Sequence, residues 1–475
     1  MENVNVLKEQ KLNVNVIKGI LLITTFFAML NETSVNVSLG KFMDEFGVSV
    51  STVQWLISGF MLTMSIIVPT TAFIMKKFTT RKIYFSSLAC LIFGTVITGF
   101  ALSFQMLLIG RIIQAAGTCV LMTLLINSML ILTEPHKRGE AMGVVSLIVL
   151  FAPALAPTLS GIIIQNLGWK LIFLGLLPFF ILFAILAYKY LANISETENT
   201  KLDVFSIILS IFAFGGIFYG ISAIGEKGEF SRTIILSLLV GVVFLALFVW
   251  RQLTVKEPLL ELRVFKYPMY TLGMAMILIS MMTIFGVMLL VPIFLQSAIG
   301  LTSIFVGLAM LPGGIVNGIV SPLVGKSYDK YGPKPFLFPG VLLAVIVCFG
   351  FYKINSDISI TLFIVLHCLL MAGIAIIMTT SQTNGLNQLP KRLSPHGTAI
   401  MSTIMQLAGG LGSAIYIMVL SINQKKFALS STETGEILAK NSLAFGFNET
   451  FKVIALVLII GLVISLFVKK SNTEK

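Results

Sequence analysis

The feature that most constrains this chain is a long succession of apolar stretches, each about as long as a bilayer is thick. A helix that crosses the hydrocarbon core needs about 20 mainly apolar residues. Because the backbone finds no water there, only helices and closed barrels can span a membrane. The sequence therefore predicts an all-α membrane protein with fourteen transmembrane helices, near residues 17–40, 53–75, 83–103, 105–132, 141–164, 170–191, 204–224, 233–251, 270–295, 304–324, 335–352, 358–380, 397–421 and 451–468.

Composition and charge support a membrane protein and argue against a nucleic-acid partner. Only 11% of the residues are charged, compared with about 25% in soluble domains. Most of the 33 lysines and arginines fall in alternate connecting segments. This asymmetry follows the positive-inside rule and predicts a multi-pass protein with both termini in the cytoplasm. Four cysteines stand singly in apolar runs, so we expect no metal site.

An acidic residue lies well inside the first apolar stretch. Glu32 at that depth costs roughly 2.5–3.5 kcal/mol on insertion scales, and such a group is usually paired, hydrated or protonated. Helical spacing places Thr25, Ala28, Glu32 and Asn36 on one stripe with little bulk. The stripe predicts a wet cavity beside this helix. Glu32 is then a candidate proton carrier or contact for a cationic compound, and the alternative is a structural acid held by Arg111.

The sequence also contains two similar segments that indicate an internal repeat. Residues 72–82 and 325–334 both join two predicted helices through a short basic segment. Repeated halves around a site at mid-membrane are typical of secondary transporters. We therefore predict an N-terminal six-helix half over 1–195, two inserted helices with their linkers over 196–268, and a C-terminal six-helix half over 269–475. Within the last of these, residues 422–450 are predicted to form a loop.

Five motifs carry a resemblance to a known family: LNETSVNV at 30–37, GRIIQAAG at 110–117, APALAPTLSG at 152–161, GKSYDKYG at 325–332 and HGTAIMSTIMQLAGG at 396–410. In this order and at these span positions, the chain resembles the major facilitator superfamily. Within it, the chain is similar to the fourteen-helix drug:proton antiporters of the EmrB/QacA type, and especially to their lincomycin-resistance branch. The resemblance implies the major facilitator fold and a location in a bacterial cytoplasmic membrane. It also implies that the protein is a monomer whose partners are small-molecule drugs, protons and membrane lipid. Transport would use the proton gradient and no cofactor.

The resemblance also implies a set of residues for proton coupling or substrate contact: Asn31, Glu32, Asn36, Arg111 and Gln114. Many family members carry an aspartate where this chain has Asn31. Moving the acid by one position turns it about 100° around the helix. Arg111 cannot usefully deprotonate, so it is a fixed charge. The alternative is that the side chain of Arg111 extends to the lipid headgroups at the membrane surface.

A second implied set concerns gating. Pro153, Pro157 and Gly161 predict a hinge, because proline frees backbone carbonyls and small residues admit a neighbouring helix. The alternative is a static kink.

Gly325, Asp329 and Gly332 predict a tight charged turn that acts as a cytoplasmic latch. Asp329 is expected to pair with a helix end in one state and to release it in another. The alternative is a turn that only carries positive-inside charge.

Polar residues in other spans are possible cavity residues: Asn317, Gln296, Gln406 and His367. Histidine titrates near neutral pH, so His367 is a candidate relay. A hydrogen-bonded core histidine is the alternative.

Together these features predict a transporter and not an enzyme. No GxxxxGK[ST] loop occurs in the sequence, so the energy is expected to come from a gradient. We predict a proton-coupled multidrug efflux antiporter for amphipathic, often cationic drugs, dyes or antibiotics. The alternatives are an exporter of one metabolite, amino acid or antibiotic, such as a lincosamide or tetracycline, and a lipid translocase. A membrane sensor would need a soluble output domain, which the sequence does not contain.

Overall fold

The regular secondary structure of this protein is helical throughout the part of the chain that the structure describes. A computed structural model describes residues 14–35, 38–48, 50–53, 55–194, 197, 203–227, 231–255, 258–354 and 358–470. Within these ranges, fourteen helices are long and apolar enough to cross a membrane. The predicted fold class and number of spans are confirmed.

We number the spanning helices in chain order. They are α1 (Val14–Ser34), α2 (Trp55–Lys77), α3 (Thr80–Gly99), α4 (Phe104–Ile131), α5 (Arg138–Leu167), α6 (Lys170–Tyr190), α7 (Val204–Lys227), α8 (Arg232–Thr254), α9 (Pro268–Ser297), α10 (Ser303–Tyr331), α11 (Lys334–Tyr352), α12 (Ile360–Asn387), α13 (Ser394–Ser430) and α14 (Gly435–Phe467). A 3-10 turn at Val68–Thr70 interrupts α2, and two short helices, Leu39–Phe46 and Val50–Val53, connect α1 to α2.

The predicted loop at 422–450 is wrong. α13 continues to Ser430 and α14 already begins at Gly435. The residues that extend both helices include Gln, Lys, Glu and Ala, which are good helix formers although they are not all apolar. Hydropathy located the apolar part of each helix and missed its polar continuation.

The predicted turn at 325–332 is also wrong in part. Gly325 and Asp329 lie in the last two turns of α10, which ends only at Tyr331, immediately before Gly332. Gly332 has a φ of 77°, and its N–H donates to the carbonyl oxygen of Tyr328. A glycine at that φ is a common helix stop because other residues rarely adopt it.

Glycines allow two helix pairs to meet backbone to backbone. A Cβ at Gly325 would overlap the carbonyl oxygen of Gly139, so the end of α10 touches the start of α5. In the same way, a Cβ at Gly216 would lie 2.9 Å from the Cα of Gly241, so α7 and α8 form a tight hairpin. The hairpin packs through α7 against α2 and α13.

Candidate functional site

The site is built on the close packing of α3 against α4. A Cβ at Gly94 would lie 2.8 Å from the carbonyl oxygen of Gly110 and 2.9 Å from the backbone nitrogen of Gln114. Small residues at such crossings let two spanning helices approach closely. This approach brings the polar side chains of α4 within reach of the hydroxyls of α3.

Gln114 links those hydroxyls to Arg111. Its Nε2 donates to the hydroxyl oxygens of Thr95 and Thr98, at 3.1 and 3.2 Å. Thr98 in turn donates to the carbonyl oxygen of Gly94 at 2.9 Å. The amide oxygen of Gln114 therefore faces the other way and accepts from Nη1 of Arg111 at 3.1 Å. α3 thus orients the guanidinium through one glutamine.

Arg111 holds the C-terminal end of α1. Its Nη1 donates to the carbonyl oxygen of Asn31 at 3.1 Å, and its Nη2 to that of Glu32 at 2.8 Å. The last four carbonyls of a helix lack intrahelical partners, and a cation also complements the dipole there. The guanidinium lies over the ring of Phe60, 4.2 Å from its centroid. Arg111 is only 1% exposed, so it does not snorkel.

The carboxylate of Glu32 is buried and incompletely satisfied. The side chain is 9% exposed, and Oε2 has no hydrogen-bond partner among the described residues. The two Nη atoms of Arg111 bond to backbone carbonyls and to Gln114. Arg111 therefore holds the backbone of Glu32, as in the predicted alternative of a structural acid held by Arg111, but makes no hydrogen bond to its carboxylate in the described part of the chain.

Other buried polar atoms of α1 and of Arg111 also lack partners in the described part of the chain. They are both side-chain polar atoms of Asn31, Nε of Arg111 and the hydroxyl of Thr25. A buried unsatisfied group costs about 1–3 kcal/mol, and such groups are normally satisfied by water or a ligand. The atoms of Asn31 and Arg111 lie at the end of α1, and Thr25 lies about two turns before Glu32 on the same helix. Asn36, the last of the residues predicted for proton coupling or substrate contact, lies outside the described residues.

The predicted hinge residues lie on α5. Pro153 is half-buried there, with Pro157 one turn later in the chain. A Cβ at Gly161 would meet nothing within 4 Å. The glycines of α5 that do touch a neighbouring helix are Gly139 and Gly143, which sequence reasoning missed.

Asp329 caps the first turn of α5. Its Oδ1 accepts from the backbone N–H of Gly139 at 2.7 Å, and its Oδ2 from that of Glu140 at 3.0 Å. α5 begins at Arg138, so these are first-turn donors without intrahelical partners. A carboxylate is favoured there both as an acceptor and by the helix dipole. The pairing of Asp329 with a helix end is therefore present in this conformation.

The four possible cavity residues lie on four different helices. On α10, Asn317 donates to the carbonyl oxygen of Met371 at 3.1 Å. On α12, His367 is buried against Gly313, and its Nδ1 has no hydrogen-bond partner among the described residues. Gln406 on α13 is half-buried, and Gln296 is exposed near the end of α9.

Sequence reasoning missed a set of polar contacts that join α4 and α5 to α12 and α13. The atom pairs are Ser146 Oγ with Gln382 Oε1 (3.1 Å), Arg138 Nη1 with Asn387 Oδ1 (3.3 Å) and Thr123 Oγ1 with Ser402 Oγ (3.5 Å). A signal was available, because 379–387 reads TTSQTNGLN at the end of an apolar span. A polar run that continues a spanning helix must be buried against protein or water. In the described residues, no group of three or more His, Cys, Asp or Glu is arranged to hold a metal ion.

Comparisons with known proteins agree on one family. Residues 21–413 match the sequence profile of the Major Facilitator Superfamily. The chain is 42% identical over 451 residues to the lincomycin resistance protein LmrB of Listeria monocytogenes, covering 95% of this chain and 96% of that protein. It is 43% identical over 457 residues to LmrB of Bacillus subtilis, and this alignment covers 96% of this chain and 95% of that protein.

A solved structure has a similar fold. The proton:xylose symporter XylE superimposes with a TM-score of 0.68 at 13% identity, covering 97% of both chains. At that identity the likeness shows the fold alone. The predicted resemblance, including its lincomycin-resistance branch, is confirmed, as is the prediction of a transporter instead of an enzyme. The profile match over most of the sequence and the two long alignments show that this chain belongs to the Major Facilitator Superfamily of membrane transporters.

Proposed function

We propose that this protein exports amphipathic, often cationic drugs, dyes or antibiotics across a bacterial cytoplasmic membrane in exchange for protons. Two relatives that align with nearly the whole chain are lincomycin resistance proteins. The observation that carries the proposal is the free carboxylate oxygen of Glu32, buried beside an arginine whose Nη atoms bond to other groups.

This arrangement supports exchange because the carboxylate needs a partner that the surrounding protein does not supply. An ionised acid at membrane depth is costly unless it is neutralised. A proton neutralises it covalently, and a cationic drug does so by pairing with the ionised form. The two occupants exclude each other at one carboxylate. Drug release is then coupled to protonation, and drug binding to deprotonation.

The proton gradient is sufficient as the energy source. One proton that crosses 100 mV supplies about 2.3 kcal/mol, which supports about a 50-fold concentration gradient of cargo. We propose that no cofactor takes part and that the chain acts as a monomer.

We also propose a topology and a division of the chain. Both termini lie in the cytoplasm, the six-helix halves occupy 1–195 and 269–475, and 196–268 is the inserted pair with its linkers. On this assignment the bond from Asp329 to the start of α5 joins the two halves at the cytoplasmic surface. It acts as a latch that is closed in this conformation.

A second candidate is an exporter dedicated to lincosamide antibiotics. It is favoured by the names of the two relatives, each more than 40% identical over nearly the whole chain. Its site would be the same, with Glu32 and Asn31 contacting one kind of cargo.

Uptake into inverted membrane vesicles distinguishes these candidates. Lincomycin and a panel of cationic dyes are offered to vesicles with and without an imposed acid interior. Faster uptake of dyes and lincomycin under the gradient is the expected result. Lincomycin uptake alone would favour the second candidate. Uptake that ignores the gradient would overturn proton coupling.

A further inference from the structure

A groove on the membrane-facing surface lies between the α7–α8 hairpin and α2. Its volume is about 470 Å³, within the range of about 300–1,000 Å³ typical of small-molecule sites. The walls are largely apolar, with hydroxyl-bearing side chains on the hairpin. The lining residues include Leu62 and Ile66 of α2, Ile211 and Gly215 of α7, and Leu236 and Val240 of α8.

The groove exists because the hairpin is unusually thin at this point. Gly216 and Gly241 bring the backbones of α7 and α8 into contact. The neighbouring Gly215 faces open space, since the nearest atom to a Cβ there would be a methyl carbon of Leu62 at 3.9 Å. The face of α7 that carries Gly216 therefore packs tightly against α8, and the adjacent face that carries Gly215 borders the hollow.

The hollow runs from the membrane surface towards mid-membrane. At its surface end the ring of Tyr219 stacks on Trp55, with the ring centroids 6.0 Å apart. Trp and Tyr are enriched at membrane interfaces, and Thr233 lines the groove one residue after the first residue of α8. From Tyr219 to Ile211 the helix rises about 12 Å. One leaflet of the hydrocarbon core is about 15 Å thick, half of the roughly 30 Å core.

The inner surface of the groove is apolar, as an acyl chain requires. The side chains of Tyr219 and Thr233 line the end nearer the start of α8, and Ile211 and Ile66 line the deep end. Arg232, immediately before Thr233, is exposed at the same end of the hairpin. Basic residues at a membrane surface attract anionic headgroups.

We propose that this groove binds one acyl chain of an anionic phospholipid from the leaflet in which α7 ends and α8 begins, with its phosphate near Arg232. The bound chain also supports α2. Leu62 faces the groove, whereas Phe60, about 200° away around the same helix, lies under the guanidinium of Arg111. One helix therefore separates the lipid from the buried acid.

Native mass spectrometry of the purified full chain tests the proposal. The protein is titrated with phosphatidylglycerol or with phosphatidylcholine of the same acyl chains, and retained lipids are counted. The wild type is expected to retain one more phosphatidylglycerol than Gly215→Leu or Val240→Phe, which fill the hollow from opposite walls. Val243→Leu is the matched control, because Val243 is exposed on α8 and is not among the residues that line the groove. Melting temperatures in the same detergent identify any variant that is misfolded.

Arg232→Gln tests the headgroup part separately. It is expected to lower the preference for phosphatidylglycerol about fivefold, the effect of one basic charge near an anionic surface. If Gly215→Leu and Val240→Phe both retain as many lipids as the wild type, lipid binding in the groove is overturned. Displacement of the lipid by a cationic dye, one for one, would instead make the occupant transported cargo. An unchanged preference in Arg232→Gln would overturn the anionic headgroup.

Discussion

The guanidinium of Arg111 donates to the backbone carbonyl oxygen of Glu32 at 2.8 Å, while Oε2 of the same residue has no hydrogen-bond partner in the described part of the chain. The arginine fixes the position of the acid without neutralising it through a hydrogen bond. A proton carrier needs both properties, because it must stay in place while its own charge changes.

Glu32→Gln should remove proton-driven transport. Glutamine keeps the size and one acceptor oxygen but cannot lose a proton at the carboxyl position, so we expect uptake under an imposed gradient to fall at least about tenfold. Uptake into inverted vesicles with and without the gradient measures the effect. Glu436→Gln is the matched control, since Glu436 is exposed in the first turn of α14. Unchanged gradient dependence in Glu32→Gln would remove this residue from coupling.

Arg111→Lys should destabilise the protein and impair transport. A lysine has one nitrogen and cannot reproduce the planar fork that reaches two carbonyls and Gln114. Leaving buried carbonyls unsatisfied costs about 1–3 kcal/mol each, so we expect a loss of about 2–4 kcal/mol in the free energy of unfolding. Thermal unfolding in detergent and vesicle uptake are the measurements. Arg263→Lys, at an exposed arginine, should leave both unchanged.

Asp329→Ala should loosen the start of α5. Loss of a helix cap costs about 0.5–2 kcal/mol, which corresponds to about 2- to 30-fold faster amide exchange if the cap controls local opening. Hydrogen exchange of the peptide that contains Gly139 and Glu140 measures this change. Asp329→Asn, which keeps one acceptor oxygen, should fall between the alanine variant and the wild type. Lys326→Gln, at an exposed position of the same helix, is the control, and equal exchange in all four proteins would contradict the cap.

Asp203 gives the α7–α8 hairpin a pH-dependent ion pair with Arg251. It accepts from Nε and Nη2 of Arg251 at 3.0 and 2.9 Å and from the backbone N–H of Ser206 at 3.2 Å. Burial alone would raise the pKa of Asp203, but the hydrogen bonds from Arg251 and Ser206 outweigh it and lower the pKa below its usual value. A carboxylate with a lowered pKa stabilises the fold above its unfolded pKa, and this stabilisation is lost as the pH falls towards the folded pKa.

Asp203→Asn should therefore cost about 1–2 kcal/mol at neutral pH, since the pair is partly exposed. Below about pH 4, near the unfolded pKa of Asp, the difference from the wild type should shrink. Melting temperature as a function of pH is the measurement. Lys137→Gln breaks a more exposed pair with Glu134 and should change little. A constant difference at all pH values would rule out the pH-dependent ion pair.

The sequence predicted the spans well because the thickness of a bilayer sets a length that hydropathy can detect. It failed where polar residues continue a helix, as at the end of α13 and at Asp329 in α10. It could not predict which distant helix a connecting segment contacts, since such contacts depend on tertiary packing. One example is the backbone N–H of Glu261, which donates to Nδ1 of His396, a residue 135 positions away along the chain.

The candidate site was predicted in part. Glu32 was identified by its cost in a membrane and Arg111 through the family resemblance, and a structural acid held by Arg111 was the alternative interpretation. The bond from Arg111 to a carbonyl oxygen was not predictable, because it depends on where α1 ends relative to α4. Thr95 and Thr98 were missed because hydroxyls within apolar spans are common and carry no distinct signal.

The contact between Gly139 and Gly325 has a mechanical consequence. At this point the two backbones meet without an interposed side chain, so their separation removes backbone contact together with the two bonds that Asp329 accepts from the start of α5. An ionisable group is therefore one contributor to the adhesion of these two helix ends.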